Sequence, residues 1–276
     1  MDFHRAELTP EEVRENNKAV VAHVLPFAMW LTMFVWFDDY NARTIGGLAL
    51  LAIFRPWRWY PKFNWKNIPA AIGVGLLIFV VWVGLETPWV QAKAPALTEW
   101  YDKLLVEPLK PFKTRELYEI PLVAESPEIR EAVALGEPVE RTRLPFEVIE
   151  EGEFAGLHEY DPRVTGWLVF WVHMFGTTVI IAIIEEFFYR GFMYRWMQGS
   201  PFFKLDAGVL NWPMLLLISL FFSVSHFEIG AAVVCGICYG LLYIKTRDIW
   251  APIIAHGTTN FVLGLYVIKY NAYQFW

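Results

Sequence analysis

Long apolar runs decide what this chain can fold into. Stretches near 20–37, 44–59, 69–87, 164–189, 209–226, 229–244 and 249–269 are dominated by apolar residues. A helix of about 20 such residues crosses the hydrocarbon core of a bilayer. In lipid every backbone N–H and C=O must bond within its own segment, so such runs become helices. Hydrophobic residues make up 56% of the 276 positions and the mean hydropathy is +0.34, more apolar than an ordinary soluble domain. The predicted class is an all-α, polytopic integral membrane protein with about seven (about six to eight) transmembrane helices and an acidic extramembrane insert. The second run is the weakest, because its apolar centre is only IGGLALLAIF.

The chain divides by composition into four parts. Residues 1–19 are polar and mostly acidic, with no small-residue cleavage site before the first apolar run, so they read as a surface segment rather than a signal peptide. Within them LTPEEVRENN predicts a helix start, with Thr9 as N-cap and Pro10 at the first position. Residues 20–87 hold the N-terminal transmembrane helices and 164–270 the C-terminal transmembrane core. Between them, 88–163 carries nine of the 17 prolines, and 86–163 holds 17 acids against 9 bases. The net charge of −6 therefore belongs to this insert, which reads as a solvated extramembrane segment with a helix predicted from Ser126. It has no basic patch interleaved with aromatics, so nucleic acid is not an expected partner.

Loop charge predicts an orientation. Arg55, Arg58, Lys62 and Lys66 cluster in one loop, Arg190, Arg195 and Lys204 in another, and Lys245 and Arg247 in a third. With seven spans these loops share a side with the N-terminus, and the positive-inside rule makes that side cytoplasmic. Trp57, Trp59, Trp65, Trp89 and Trp250 then lie near the interfaces as anchors. Cys235 and Cys238 form a C-x-x-C inside an apolar run, where small packing residues are the simpler reading.

Ionisable side chains inside spans are costly and usually functional. In EEFFYR, Glu186 and Arg190 are four apart on one helix face and can pair, while Glu185 points about 100° away. In FFSVSHFE, His226 follows Phe222 by four. In IIAHGTTNF, His256 and Asn260 share a face. A carboxylate, an imidazole, and an imidazole with an amide suit hydrolysis by activated water. Glu185 can take the proton with His226 assisting, and His256 and Asn260 can donate to a tetrahedral oxyanion. No covalent nucleophile or cofactor is required, and Ser223 and Ser225 show no Ser-His-acid arrangement. A plain span count sets Glu185 and His226 at opposite ends of successive helices. The mechanism therefore requires the His226 helix to be short or displaced, or the 209–244 region not to form two full spans.

The three motifs, Glu185-Glu186-x-x-x-Arg190, Phe222-x-x-x-His226 and His256-x-x-x-Asn260, resemble those of the CPBP family, the CAAX proteases and bacteriocin-processing enzymes, over roughly 165–265. The resemblance implies an intramembrane glutamic endopeptidase. Glu185 and His226 would activate water, His256 and Asn260 would form the oxyanion hole, and Glu186, Arg190 and Phe222 would support them. It implies no metal, a membrane-associated or lipidated protein substrate and, by analogy, a prokaryotic plasma membrane. The long insert departs from the family's early helices. Two other readings stay open: a zinc-dependent membrane hydrolase using the histidines and glutamate, and a non-catalytic binding, immunity or transport protein in which the same residues line an ion path.

Overall fold

The structure, a computed structural model, describes residues 8–37, 39–85, 88–108, 161–226, 228–270, 272 and 275. The helix predicted from Ser126 lies outside these residues. Among the described residues there is no strand. The helices are α1 (Pro10–Trp36), α2 (Tyr40–Phe54), α3 (Ile68–Leu85), α4 (Pro88–Lys93), α5 (Pro95–Tyr101), α6 (Trp167–Trp196), α7 (Trp212–Val224), α8 (Ile229–Thr246) and α9 (Trp250–Tyr270).

The start of α1 follows its sequence. The Thr9 hydroxyl accepts from the Glu12 amide, and the Glu12 carboxylate accepts from the Thr9 amide, forming a reciprocal cap with Pro10 at the first position. The polar turns then continue without a break into the apolar run, so the expected surface segment and first span are one helix. At the other side of the connection α2 stops at Phe54, short of the predicted residue 59. Pro56 cannot continue the helix, and Arg55 closes it in the left-handed region at φ 49°.

The expected count of about seven spans is not confirmed. Among the described residues four helices are long and apolar enough to cross a membrane: Trp65–Leu85, which includes α3, together with α6, α8 and α9. The His226 segment differs most from its prediction. Helix α7 has 13 residues, a rise of about 20 Å against a hydrocarbon core of about 30 Å. It ends at Val224, so the helix that leads to His226 is short, as the mechanism requires.

Polarity does not distinguish the inward face of α3 from its outward face. Helix α3 is apolar all round, yet Ala71, Gly75, Ile78 and Trp82 face inward while Ile72, Leu76, Leu77 and Val80 stay exposed. Small residues on the inward face let helices approach closely, which in lipid takes the place of a hydrophobic driving force. A Cβ on Gly75 would lie 2.5 Å from the Ala255 carbonyl oxygen, so this glycine sets the α3–α9 approach. At Gly236 a Cβ would meet Ser219 at 2.8 Å, which seats α8 against α7. The buried Cys235 and half-buried Cys238 are free thiols on the same helix.

Helix α6 is irregular where it matters. π-Helical turns at Gly176–Ile181 and Phe187–Met193 flank the short α-helical stretch Ala182–Glu186. Such turns shift the angular register of the side chains beyond them and recur at functional sites.

Candidate active site

Glu186 is the hub of a buried polar centre. It is fully buried, and its Oε1 accepts from the Arg190 guanidinium at 2.7 Å and from Nδ1 of His256 at 3.0 Å. The first contact is the i,i+4 pair that the sequence predicts. The second joins α6 to α9 across 70 positions of chain. Arg190 also donates to the Gly236 carbonyl at 3.2 Å, which ties α8 to the same point. Its guanidinium lies 4.6 Å from the Phe222 ring centroid and 5.6 Å from that of Tyr239. A buried ion pair is tolerable only when its remaining donors and acceptors are engaged, and these contacts engage most of them.

Glu185 is placed differently. It is 8% exposed, and its Oε2 is buried with no hydrogen-bond partner. Arg190, Glu186 and His256 lie within electrostatic reach of it. Because Arg190 sits on Glu186, the Glu185 carboxylate is left as an uncommitted acceptor. A buried polar atom without a partner calls for water or a ligand.

His226 is half-buried just beyond the end of α7. Its Nδ1 lies 2.7 Å from the Phe222 carbonyl oxygen, which can only accept. Nδ1 therefore carries the proton, and Nε2 of the neutral ring holds a free lone pair. Phe222, fully buried, packs with its ring tilted at 4.4 Å from His226 and touches His256 edge-on at 5.9 Å, so it contacts both imidazoles. His226 is also within electrostatic reach of His256 and Arg190. The five ionisable motif residues, from α6, the end of α7 and α9, thus meet in one region.

His256 is held from two sides. Its ring stacks on Tyr239 at 5.4 Å, and its Nδ1–H is committed to Glu186. It can donate through Nε2 only as imidazolium. Below it, the Tyr239 hydroxyl bonds to Thr259 Oγ1 at 2.6 Å, and Thr259 donates to the carbonyls of Gly75 at 2.9 Å and Ala255 at 3.1 Å. This chain of hydroxyls ties α8, α9 and α3 together beneath the imidazole. Asn260 donates one amide N–H to the Thr177 carbonyl at 2.9 Å, inside the first π-turn of α6. One further amide N–H remains to it.

Sequence reasoning missed several contributors. Tyr239 and Thr259 act through contacts between distant helices and carry no local motif. Trp82, at the end of the third apolar run, packs at 5.6 Å against His226; an indole N–H within an otherwise apolar span was the available signal. His23 and His173 lie outside this centre. His23 bonds the Ala19 carbonyl and the Tyr60 hydroxyl, and His173 stacks on Tyr40. Among the described residues no three His, Cys, Asp or Glu side chains come together as a metal site would require.

Fold and site together define an all-helical integral membrane protein with a buried glutamate–arginine–histidine centre. Residues 167–262 match the family Rce1-like, type II CAAX prenyl endopeptidase Rce1-like. This is the CAAX-protease family that the three motifs resemble, and it is a protease family. The matched segment holds Glu185, Glu186, Arg190, Phe222, His226, His256 and Asn260. Comparison with curated proteins and with solved structures finds no match.

Proposed function

We propose that this chain is an intramembrane glutamic endopeptidase that cleaves membrane-associated or lipidated protein substrates with water activated by Glu185. The observation that carries the reading is the division of labour between adjacent glutamates. Glu186 is held through Oε1 by both Arg190 and His256, while Glu185 makes no hydrogen bond or ion pair among the described residues and keeps a buried Oε2 without a partner. A carboxylate held apart from its neighbouring cation in this way is suited to accept a proton.

The chemistry follows from the donor and acceptor inventory. Water bound between Glu185 and Nε2 of His226 gives a proton to the carboxylate as its oxygen attacks the scissile carbonyl carbon. The carbonyl π bond breaks, and its electron pair goes to oxygen. His256, as imidazolium, and the second N–H of Asn260 donate to that oxyanion. The intermediate collapses, the C–N bond breaks, and the leaving amine takes the proton that Glu185 received. The Glu186–Arg190 pair fixes the tilt of His256 through the bond to Nδ1. The expected setting is a plasma membrane with the N-terminus cytoplasmic, which the basic loops support.

The zinc alternative finds no grouping of three ligands among the described residues. In the transport reading the His256–Asn260 pair has no assigned task. The test is a comparison of membrane-protein termini by mass spectrometry in cells carrying wild type or Glu185→Ala at equal expression. Specific cleaved ends that vanish with the substitution support the proposal. Unchanged termini, with the substrates demonstrably present, reject it.

A further inference from the structure

The centre as built is short of hydrogen-bond donors. A tetrahedral oxyanion needs N–H or O–H groups aimed at it. His256 has committed its Nδ1–H to Glu186, and Asn260 has committed one N–H to Thr177. His226 has committed its Nδ1–H to Phe222. Asn260 keeps one further N–H, and the unpartnered carboxylate oxygens, Glu185 Oε2 and Glu186 Oε2, are acceptors when ionised.

Trp82 offers a further donor. It is 7% exposed, and its ring meets the His226 imidazole at 5.6 Å with the planes 72° apart. Its Nε1–H is buried and has no acceptor. A buried indole N–H usually finds a partner, and this one lacks a partner beside the histidine assigned to water activation. The indole is a donor only, and it donates irrespective of pH. It arrives on α3, outside the segment that matches the family.

Resting on the peptidase reading, we propose that Trp82 is a further catalytic residue whose Nε1–H donates a hydrogen bond to the scissile carbonyl oxygen. The bond strengthens as that oxygen gains charge in the tetrahedral intermediate. No proton is transferred, because the indole N–H stays intact through the step.

The test uses the full chain in lipid vesicles and compares wild type, Trp82→Phe and Glu185→Gln on one lipidated peptide. Trp82→Phe keeps an aromatic ring against His226 but loses the donor and part of the buried ring volume, which the ketone and amide comparison separates. Its kcat is expected to fall by about 10²–10³-fold, the usual effect of losing one oxyanion donor, with KM within about twofold. A peptidyl trifluoromethyl ketone, whose hydrate mimics the tetrahedral centre, should bind correspondingly more weakly, while the uncleaved peptide amide binds as before. In indole-15N-labelled wild type, the Trp82 N–H proton signal, assigned by its loss in Trp82→Phe, should move downfield when the ketone binds. An unchanged kcat, equal weakening of ketone and amide, or an unmoved signal overturns the donor assignment. If the wild type cleaves and Glu185→Gln does not, such a result removes Trp82 alone. If the wild type cleaves nothing, the peptidase reading and this inference fall together.

Discussion

Removing the Arg190 guanidinium would strand Glu186. The pair is 2.7 Å apart, with side chains 2% and 0% exposed, and no other lysine or arginine is shown bonding the Glu186 carboxylate among the described residues. Breaking a buried pair by deleting one partner costs about 3–5 kcal/mol, because the remaining charge stays buried. Arg190→Met should therefore lower the apparent unfolding temperature by about 6–20 °C, at about 2–4 °C per kcal/mol for a chain of this size. A thiol-reactive fluorogenic dye reads the transition directly, since Cys235 is buried until α8 leaves the bundle. Glu186→Met should be similarly harmful, because it also frees His256. The double variant removes both charges, so its cost should fall short of the sum of the singles by about 0.5–3 kcal/mol. Singles that each cost under about 1 kcal/mol, the worth of a surface pair, or effects that simply add, would refute the claim that this pair is a coupled, water-free unit.

Three other outcomes follow from the same contacts. Gly75→Ala drives a methyl group against the Ala255 carbonyl and should destabilise by about 1–3 kcal/mol, read by the same dye; wild-type stability would show that α3 and α9 separate easily. Tyr239→Phe removes the hydroxyl bonded to Thr259 and should cost about 0.5–1.5 kcal/mol, with a larger loss of activity than of stability as His256 loses its footing; a change in stability alone would deny the positioning role. At the surface, Lys204 holds the Glu12 carboxyl down at about 2, helped by the Thr9 cap. Its contribution is present above the ordinary carboxylate range and is lost as pH falls through about 2. Glu12 should therefore remain ionised at about pH 3.5, and Lys204→Met should move its NMR titration midpoint upward; an unmoved midpoint refutes the pairing.

What the sequence could show depended on how local each feature is. The Thr9 cap and the Glu186–Arg190 pair span three and four positions, where helix geometry makes neighbours certain, and the structure has both. The three motifs were readable because each combines costly polar groups with an apolar run. The contact between His256 and Glu186 was not readable, since no local pattern records which residue on α9 faces which on α6. The span count is not confirmed, for a related reason. Hydropathy sees the run around 209–226 as long enough to cross, whereas α7 stops at Val224 and turns through His226. Trp82 was hidden because an indole in an apolar run reads as packing, and only its unpartnered N–H distinguishes it.

The central claim is that Glu185 activates the water that cuts a peptide bond. The most direct measurement is single-turnover cleavage of a lipidated peptide by purified wild type and Glu185→Gln in vesicles, with and without a zinc chelator, on samples of equal thermal stability. The account predicts cleavage by the wild type that the chelator leaves unchanged, and a loss of about 10³-fold or more in Glu185→Gln, consistent with removal of a general base within a hydrolytic centre. Retained cleavage in Glu185→Gln, or cleavage abolished by the chelator and restored by zinc, would contradict it.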